Sequence, residues 1–202
     1  MEVSVPQAFS HRPPIRAAGQ DDAQALVDFI GYASSGMAPI AWAQAVEPGR
    51  DPRAFGIATV RGEAGSMSYR NAVVVDDGEG PIAALISHPL PAEAQPIPVG
   101  PPGLTTPWQE LRNHACGAWH IAVLAAYPEH RGRGLGTALI GVADALRAAH
   151  GARQLSLLVA DANIEARRLY ERLGFREVAR RPMTQGTWTN PGKDWLLLVR
   201  DA

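Results

Sequence analysis

The sequence predicts an α/β protein built around a mixed β-sheet, and three observations predict it. The runs "NAVVVDD" and "PIAALIS" flank the turn "GEG" and read as an antiparallel hairpin. Farther along, "WHIAVLA", "LGTALIGVADALRAAHG" and "QLSLLVAD" are strand, amphipathic helix and strand, a right-handed crossover whose two strands are parallel. A further helix, "NIEARRLYERLG", is followed by two last strands, "FREVARR" and "DWLLLVR".

Residues 1 to about 13 read as an irregular lead-in and 14–202 as one domain. A short strand at "PIRAA" precedes a helix opened by Asp21 and Asp22, whose carboxylates suit a helix start. Leu26, Val27 and Ile30 supply its apolar face. From Gly31 to Glu63 the breakers Gly36, Pro39, Pro48, Gly49 and Pro52 leave a broken second helix around Trp42. After the hairpin, seven prolines between Pro89 and Pro107 predict a proline-rich insertion at about 88–112, an extended loop without regular structure. In the long helix, Leu135, Leu139, Val142 and Leu146 make one core-facing stripe, closed by Gly151.

At 202 residues the chain can bury a sizeable core, and its formal net charge of -1 gives no basic surface for nucleic acid. The lone Cys116 excludes an intrachain disulfide and a cysteine-based zinc site, and no other residues have metal-ligand spacing. No metal is expected. The longest apolar runs, "IAVLAAY" and "WLLLV", are too short to cross a bilayer, and the first residues lack the apolar core of a secretory leader. The expectation is a cytoplasmic protein, monomer or homodimer.

The most informative stretch is "AYPEHRGRGLGTALIGVADAL", where Gly132, Gly134 and Gly136 run into a helix start. Such a loop offers unpaired N–H groups beside the positive helix end and suits phosphate. A nucleotide P-loop would need a lysine that is absent here. A dinucleotide site would need a third glycine where Thr137 stands, and a first glycine directly after the strand, where Tyr127 to Arg131 intervene. A purely structural turn remains open for a GxG taken alone.

The glycines are not alone. "RGRGLG" has the form Arg/Gln-x-x-Gly-x-Gly, follows a strand ending "LAAYPEHR", and precedes "NIEARRLYERLGF" by about thirty residues. From Trp119 to Arg180 the chain resembles the GNAT superfamily of N-acetyltransferases; its N-terminal half matches in the order of elements. The resemblance implies a mostly antiparallel sheet with helices on both faces and a parallel fourth and fifth strand pair splayed to hold acyl-CoA. Acetyl-CoA would be co-substrate, with its pyrophosphate on Arg131, Gly132, Arg133, Gly134, Leu135, Gly136 and Thr137. By the same resemblance the backbone of Leu124, Ala125 and Ala126 would hold the pantetheine arm and polarise the thioester.

Acetyl transfer to an amine needs oxyanion stabilisation, a proton acceptor for the amine and a proton donor for the departing thiolate. The superfamily's N-x-x-A-x-x-x-Y pattern maps the donor onto Tyr170 and puts Asn163 at the helix start, as N-cap and cofactor contact. The glutamate that bacterial protein-N-terminus acetyltransferases carry on the fifth strand is here Leu158, which cannot serve. Histone and arylalkylamine acetyltransferases place a glutamate or histidine four residues before the "LAV" position, and here that residue is His120. A hydrogen-bonded strand histidine and a core tyrosine are the non-catalytic alternatives for these two. Cys116 has no activating partner and reads as filler.

The resemblance implies that the acceptor side falls to variable segments, here 31–65, the insertion, and Arg181 to Lys193. Trp42, Trp108 and Trp188 in them imply an apolar or aromatic primary amine, of a small molecule or a protein. The alternative to an enzyme is a non-catalytic acyl-CoA-binding or sensing module, which needs the loop but neither Tyr170 nor His120.

Overall fold

The computed structural model describes residues 14–97 and 99–202, so the expected lead-in at 1–13 lies outside the described residues. Among the described residues there are seven strands: β1 (Ile15–Ala17), β2 (Ala72–Asp76), β3 (Pro81–Pro89), β4 (Trp119–Ala126), β5 (Gln154–Ala160), β6 (Arg176–Pro182) and β7 (Asp194–Asp201). The same residues form six α-helices: α1 (Ala23–Ala33), α2 (Met37–Ala45), α3 (Pro52–Arg61), α4 (Thr106–Asn113), α5 (Leu135–His150) and α6 (Ile164–Arg172). Hydrogen-bonded neighbours follow the order β1-β2-β3-β4-β5-β7-β6. The β4/β5 pair is parallel, with Trp119, His120 and Ile121 facing Leu155, Ser156 and Leu157. The β1/β2, β2/β3, β5/β7 and β6/β7 pairs are antiparallel, so the expected mixed, mostly antiparallel sheet is present.

Two compact units share the chain. The first comprises Met1–Ser87 and Ala122–Ala145, described from Pro14. Its core joins Leu26, Phe29 and Ile30 of α1 and Val60 of α3 to Val74, Ala84, Ile86 and Val123 of the strands. The α1 positions recur at three- and four-residue steps, so one helix face is buried. Arg16 ties the sheet edge down by reaching both Asp22 and Asp76, at 2.7 and 2.6 Å.

Two helices stand where one broken helix was expected. Pro48 and Gly49 do interrupt the chain, but Asp51 caps a new helix by accepting from the Arg53 N–H at 2.9 Å, with Pro52 in its first turn. A helix start has no use for the N–H that proline lacks, so Pro52 opens α3 rather than breaking it. In α5 the buried set Leu135, Ala138, Leu139, Ile140, Val142 and Ala143 is broader than the expected stripe, while Leu146 is half-buried.

The second unit comprises His88–Ile121 and Leu146–Ala202. Leu155 and Leu157 of β5 and Leu196 to Val199 of β7 form its buried centre. The proline-rich insertion corrects the expectation of an unstructured loop: its C-terminal part is α4, which packs on β6 and β7, with Trp108 against Trp195 and Leu111 buried. Pro107 lies in the first turn of α4, where it again costs no hydrogen bond. Glu110 of α4 accepts from Arg181 of β6 at 2.7 Å.

Candidate active site

The glycine loop belongs to the first unit. A 3-10 turn at Pro128–His130 leads from β4 into it. Gly132 and Gly134 have φ of +75° and +78°, the left-handed region that a Cβ disfavours. Leu135, buried, anchors the start of α5 beneath the exposed stretch Arg131–Gly134. The Ala138 N–H donates to the Gly134 carbonyl at 3.1 Å, so the N–H groups of Leu135, Gly136 and Thr137 precede the first bond of the helix. An added Cβ at Gly132 would meet nothing within 4 Å, so the loop's outer side is open.

Arg131 and Arg133 are exposed, but both are tethered. Arg131 Nε donates to the Ala126 carbonyl at 3.3 Å while its guanidinium lies over the Tyr32 ring at 5.7 Å, and Arg133 Nη2 donates to the Glu129 carbonyl at 3.3 Å. Open donors at a helix start, beside two cations, fit a pyrophosphate dianion. Upstream, Val123, Ala125 and Tyr127 of the chain face the unit's core, and Leu124, Ala125 and Ala126 are half-buried. The side chains at these last three positions are small or apolar.

His120, Asn163 and Tyr170 lie in the second unit. His120 is 3% exposed, and its Nδ1 stands 2.9 Å from Ser156 Oγ, its facing residue in the parallel ladder. Burial pushes the imidazole well below its ordinary pKa, and His88 and Arg112 act in the same direction. The His88 ring packs edge-on to that of His120 at 5.8 Å. His88 Nδ1 is 3.1 Å from the Pro89 carbonyl, which can only accept, so Nδ1 carries the proton and Nε2 is a bare acceptor. That Nε2 is buried and has no hydrogen-bond partner among the described residues. Burial, and secondarily Arg112, lowers the His88 pKa as well, against the Pro89 bond.

Asn163 caps α6 by accepting from the Ala166 N–H at 3.2 Å. Two helical turns later, Tyr170 is buried with its ring on Phe175 at 5.8 Å. Burial alone pushes its phenol up to about 12, so the hydroxyl keeps its proton at all ordinary pH.

From the sequence His88 reads as a poorer base candidate at a loop entry, whereas it lies in β3 against His120, and Ser156 is not marked at all. Ser156 is found only through strand register, since nothing local marks a serine as facing a histidine 36 positions earlier. Trp108 and Trp188 both pack on Trp195. Trp188 stacks on Trp195 at 5.9 Å, and Trp108 meets the same ring edge-on at 5.1 Å. Trp42, in contrast, lines an open cleft of the first unit.

Among the described residues no helix is long and apolar enough to cross a membrane, and no cluster of His, Cys, Asp or Glu could hold a metal.

The sequence profile described as "Acetyltransferase (GNAT) family" matches residues 63–175. No curated protein matches the sequence. Solved structures do. A mosquito arylalkylamine N-acetyltransferase like 5b is 15% identical with a TM-score of 0.62, over 94% of this chain and 99% of that one. An N-acetyltransferase from Staphylococcus aureus Mu50 is 15% identical with a TM-score of 0.60, over 93% and 100%. A GCN5-related N-acetyltransferase from Kribbella flavida is 18% identical with a TM-score of 0.58, over 94% and 97%. At these identities the likeness is one of fold.

Proposed function

The chain belongs to the GNAT family of acetyltransferases, and we propose that it transfers the acetyl group of acetyl-CoA to a primary amine by direct attack on the thioester. The observation that carries this reading is the glycine loop, where two left-handed glycines and the open N–H groups of a helix start meet two tethered arginines. Acetyl-CoA supplies the activated acyl group. In the reaction a C–N bond forms, the C–S bond breaks, the amine gives up a proton and the departing sulfur gains one.

The chain's residues divide these tasks. The N–H groups of Gly132 to Thr137 and the cations of Arg131 and Arg133 hold the pyrophosphate. The backbone of Leu124, Ala125 and Ala126 orients the pantetheine arm, and Asn163, besides capping α6, adds a cofactor contact. Tyr170 protonates the sulfur. A phenol raised to about 12 donates less readily than a free one, which requires the thiolate to lose its water as well. His120 accepts the amine proton through water; its lowered pKa keeps it neutral and ready at pH 7 while limiting its strength. Residues 14–202 work as one catalytic domain, and the unpaired, exposed Cys116 suits a reducing cytoplasm.

Release of free thiol from acetyl-CoA across a panel of amines is the test. Turnover that needs an amine, together with a CoA-induced rise in melting temperature, is the expected result. A CoA-induced rise with no turnover on any amine would leave only cofactor binding.

A further inference from the structure

The roles above leave unused a cleft in the first unit, formed by α1, α2 and the start of α3. Its volume is about 580 Å3, within the range of small-molecule sites. Val27, Pro39, Tyr32 and Trp42 give it apolar and aromatic walls, and Asp28 and Arg53 give it one charge of each sign. Asp28 and Tyr32 are one helical turn apart on α1 and so share a face. Trp42 is held from behind by α3, whose Gly56 leaves room for the ring: a Cβ there would fall 2.8 Å from it. Tyr32 is 46% exposed although Arg131 lies over its ring and Tyr127 meets it edge-on at 6.1 Å, so part of the ring still faces the cleft and solvent.

The two charges are paired but not exhausted. Arg53 Nη1 donates to Asp28 Oδ1 at 2.6 Å, and the Tyr127 hydroxyl reaches Oδ2 at 3.3 Å. A carboxylate offers about four lone-pair sites and a guanidinium five N–H donors, so both retain capacity. Arg53 spends one further donor weakly, on the Gln24 carbonyl at 3.5 Å. A cleft with adjoining charges of opposite sign has no net attraction for a simple cation or anion. It matches a ligand that carries both signs a few ångströms apart beside an apolar group.

We propose that this cleft binds an α-amino acid with an aromatic or large apolar side chain. Its ammonium sits on Asp28, its carboxylate on the unused edge of Arg53, and its side chain between Tyr32 and Trp42. Such an amino acid is then the acceptor class of the transferase, a step that rests on the function proposed above: its α-ammonium first loses one proton to solvent, and the free amine so formed is the attacking group. Cleft and glycine loop adjoin within the first unit, because Arg131 of the loop lies over Tyr32 of the cleft.

Thiol release from acetyl-CoA is compared for L-tryptophan and L-phenylalanine against tryptamine and phenethylamine, which lack the carboxylate. The amino acids should lead by about ten-fold or more in kcat/KM, as expected for a charge-assisted contact. Arg53→Gln should erase that lead by raising KM for the amino acids alone. Equal rates for both sets, in the wild type, overturn the acceptor class. Calorimetric titration of L-tryptophan, with and without CoA, reads the cleft independently of turnover. Binding weakened about ten-fold by Arg53→Gln supports it, and so does Asp28→Asn shifting preference toward indole-3-propionate, which has a carboxylate but no ammonium. No binding in either condition overturns the cleft assignment. Tryptophan binding without turnover or any CoA-induced thermal shift overturns the acceptor role and the transferase reading, while the cleft's ligand stands.

Discussion

His120 Nδ1 lies 2.9 Å from the hydroxyl of Ser156, and both residues are shut away from water, at 3% and 0% exposure. The contact follows from register, since the two face each other across the parallel β4/β5 ladder. A buried neutral imidazole with one hydrogen bond is cheaper than a buried imidazolium, and the neighbouring His88 and Arg112 raise the cost of charging it further.

A pH dependence of stability follows. In the unfolded chain His120 titrates near 6.5, and in the folded chain well below that. Between those values the unfolded state binds a proton that the folded state refuses. The contribution is therefore complete above about pH 6.5 and shrinks as pH falls, by at most about 1.4 kcal/mol per unit for one group. His88, lowered in the same direction, adds to the slope. Urea midpoints measured from neutral pH down to about pH 5 should fall less steeply in His120→Gln than in the wild type; parallel curves would mean that His120 is not the group refusing the proton.

Ser156→Ala should cost about 1–3 kcal/mol, the penalty for leaving a buried nitrogen without its partner. A Ser156→Ala, His120→Phe double variant tests the coupling. Its loss should be smaller than the sum of the two single losses, because the second change removes the group the first one orphaned.

The loop glycines separate backbone strain from crowding. At Gly132 an added methyl meets open space, so Gly132→Ala should cost only the left-handed conformation, about 1–2 kcal/mol of stability. Gly134→Val should in addition lose the ligand response. CoA at a hundred times its dissociation constant raises wild-type stability by about 2.7 kcal/mol, and the valine variant should show little of this. An undiminished thermal shift in Gly134→Val would remove the loop from the cofactor site.

Gly56→Ala tests how α3 holds Trp42. Its Cβ would stand 2.8 Å from the indole ring, so the ring must move. Overpacking of this kind costs about 1–3 kcal/mol, partly offset by the gain of about 1 kcal/mol for alanine over glycine in a helix. A shift of Trp42 fluorescence with a modest loss of stability is expected; a shift with unchanged stability would show that the ring yields without cost, and unchanged fluorescence that α3 does not set the ring's place.

What the sequence made legible is what backbone chemistry decides locally. The run from Gly132 to Gly136, the Asn163 cap and the β2/β3 hairpin each carry their cause within a few residues. The two helices that the sequence does not announce, α3 and α4, share a cause: Pro52 and Pro107 read as breakers, while in a first turn they are starters. Contacts set by tertiary packing were out of reach. Nothing near Trp108 or Trp188 says that both will pack on Trp195, and nothing near Arg53 says that it will meet Asp28. Of the cleft, the sequence marks Trp42 as an acceptor-side aromatic, while Asp28 and Tyr32 carry no local sign of it.

Tyr170 carries the sharpest test of catalysis. Its ring packs on Phe175 at 5.8 Å, and the buried phenol, raised to about 12, is protonated at any assay pH. Tyr170→Phe keeps the ring and relieves the burial of a polar group, so stability should hold within about 1 kcal/mol and CoA affinity should be unchanged. If the hydroxyl protonates the departing sulfur, kcat should fall by about a hundred-fold or more, some 2.7 kcal/mol of transition-state stabilisation. Because a phenol at about 12 is a reluctant donor, the wild-type rate should also depend on how acidic the leaving thiol is. Acyl donors with more acidic thiols need less protonation, so the gap between wild type and Tyr170→Phe should narrow with them. A rate within about three-fold of wild type would assign the proton to water, and parallel loss of CoA affinity would make Tyr170 a cofactor contact instead.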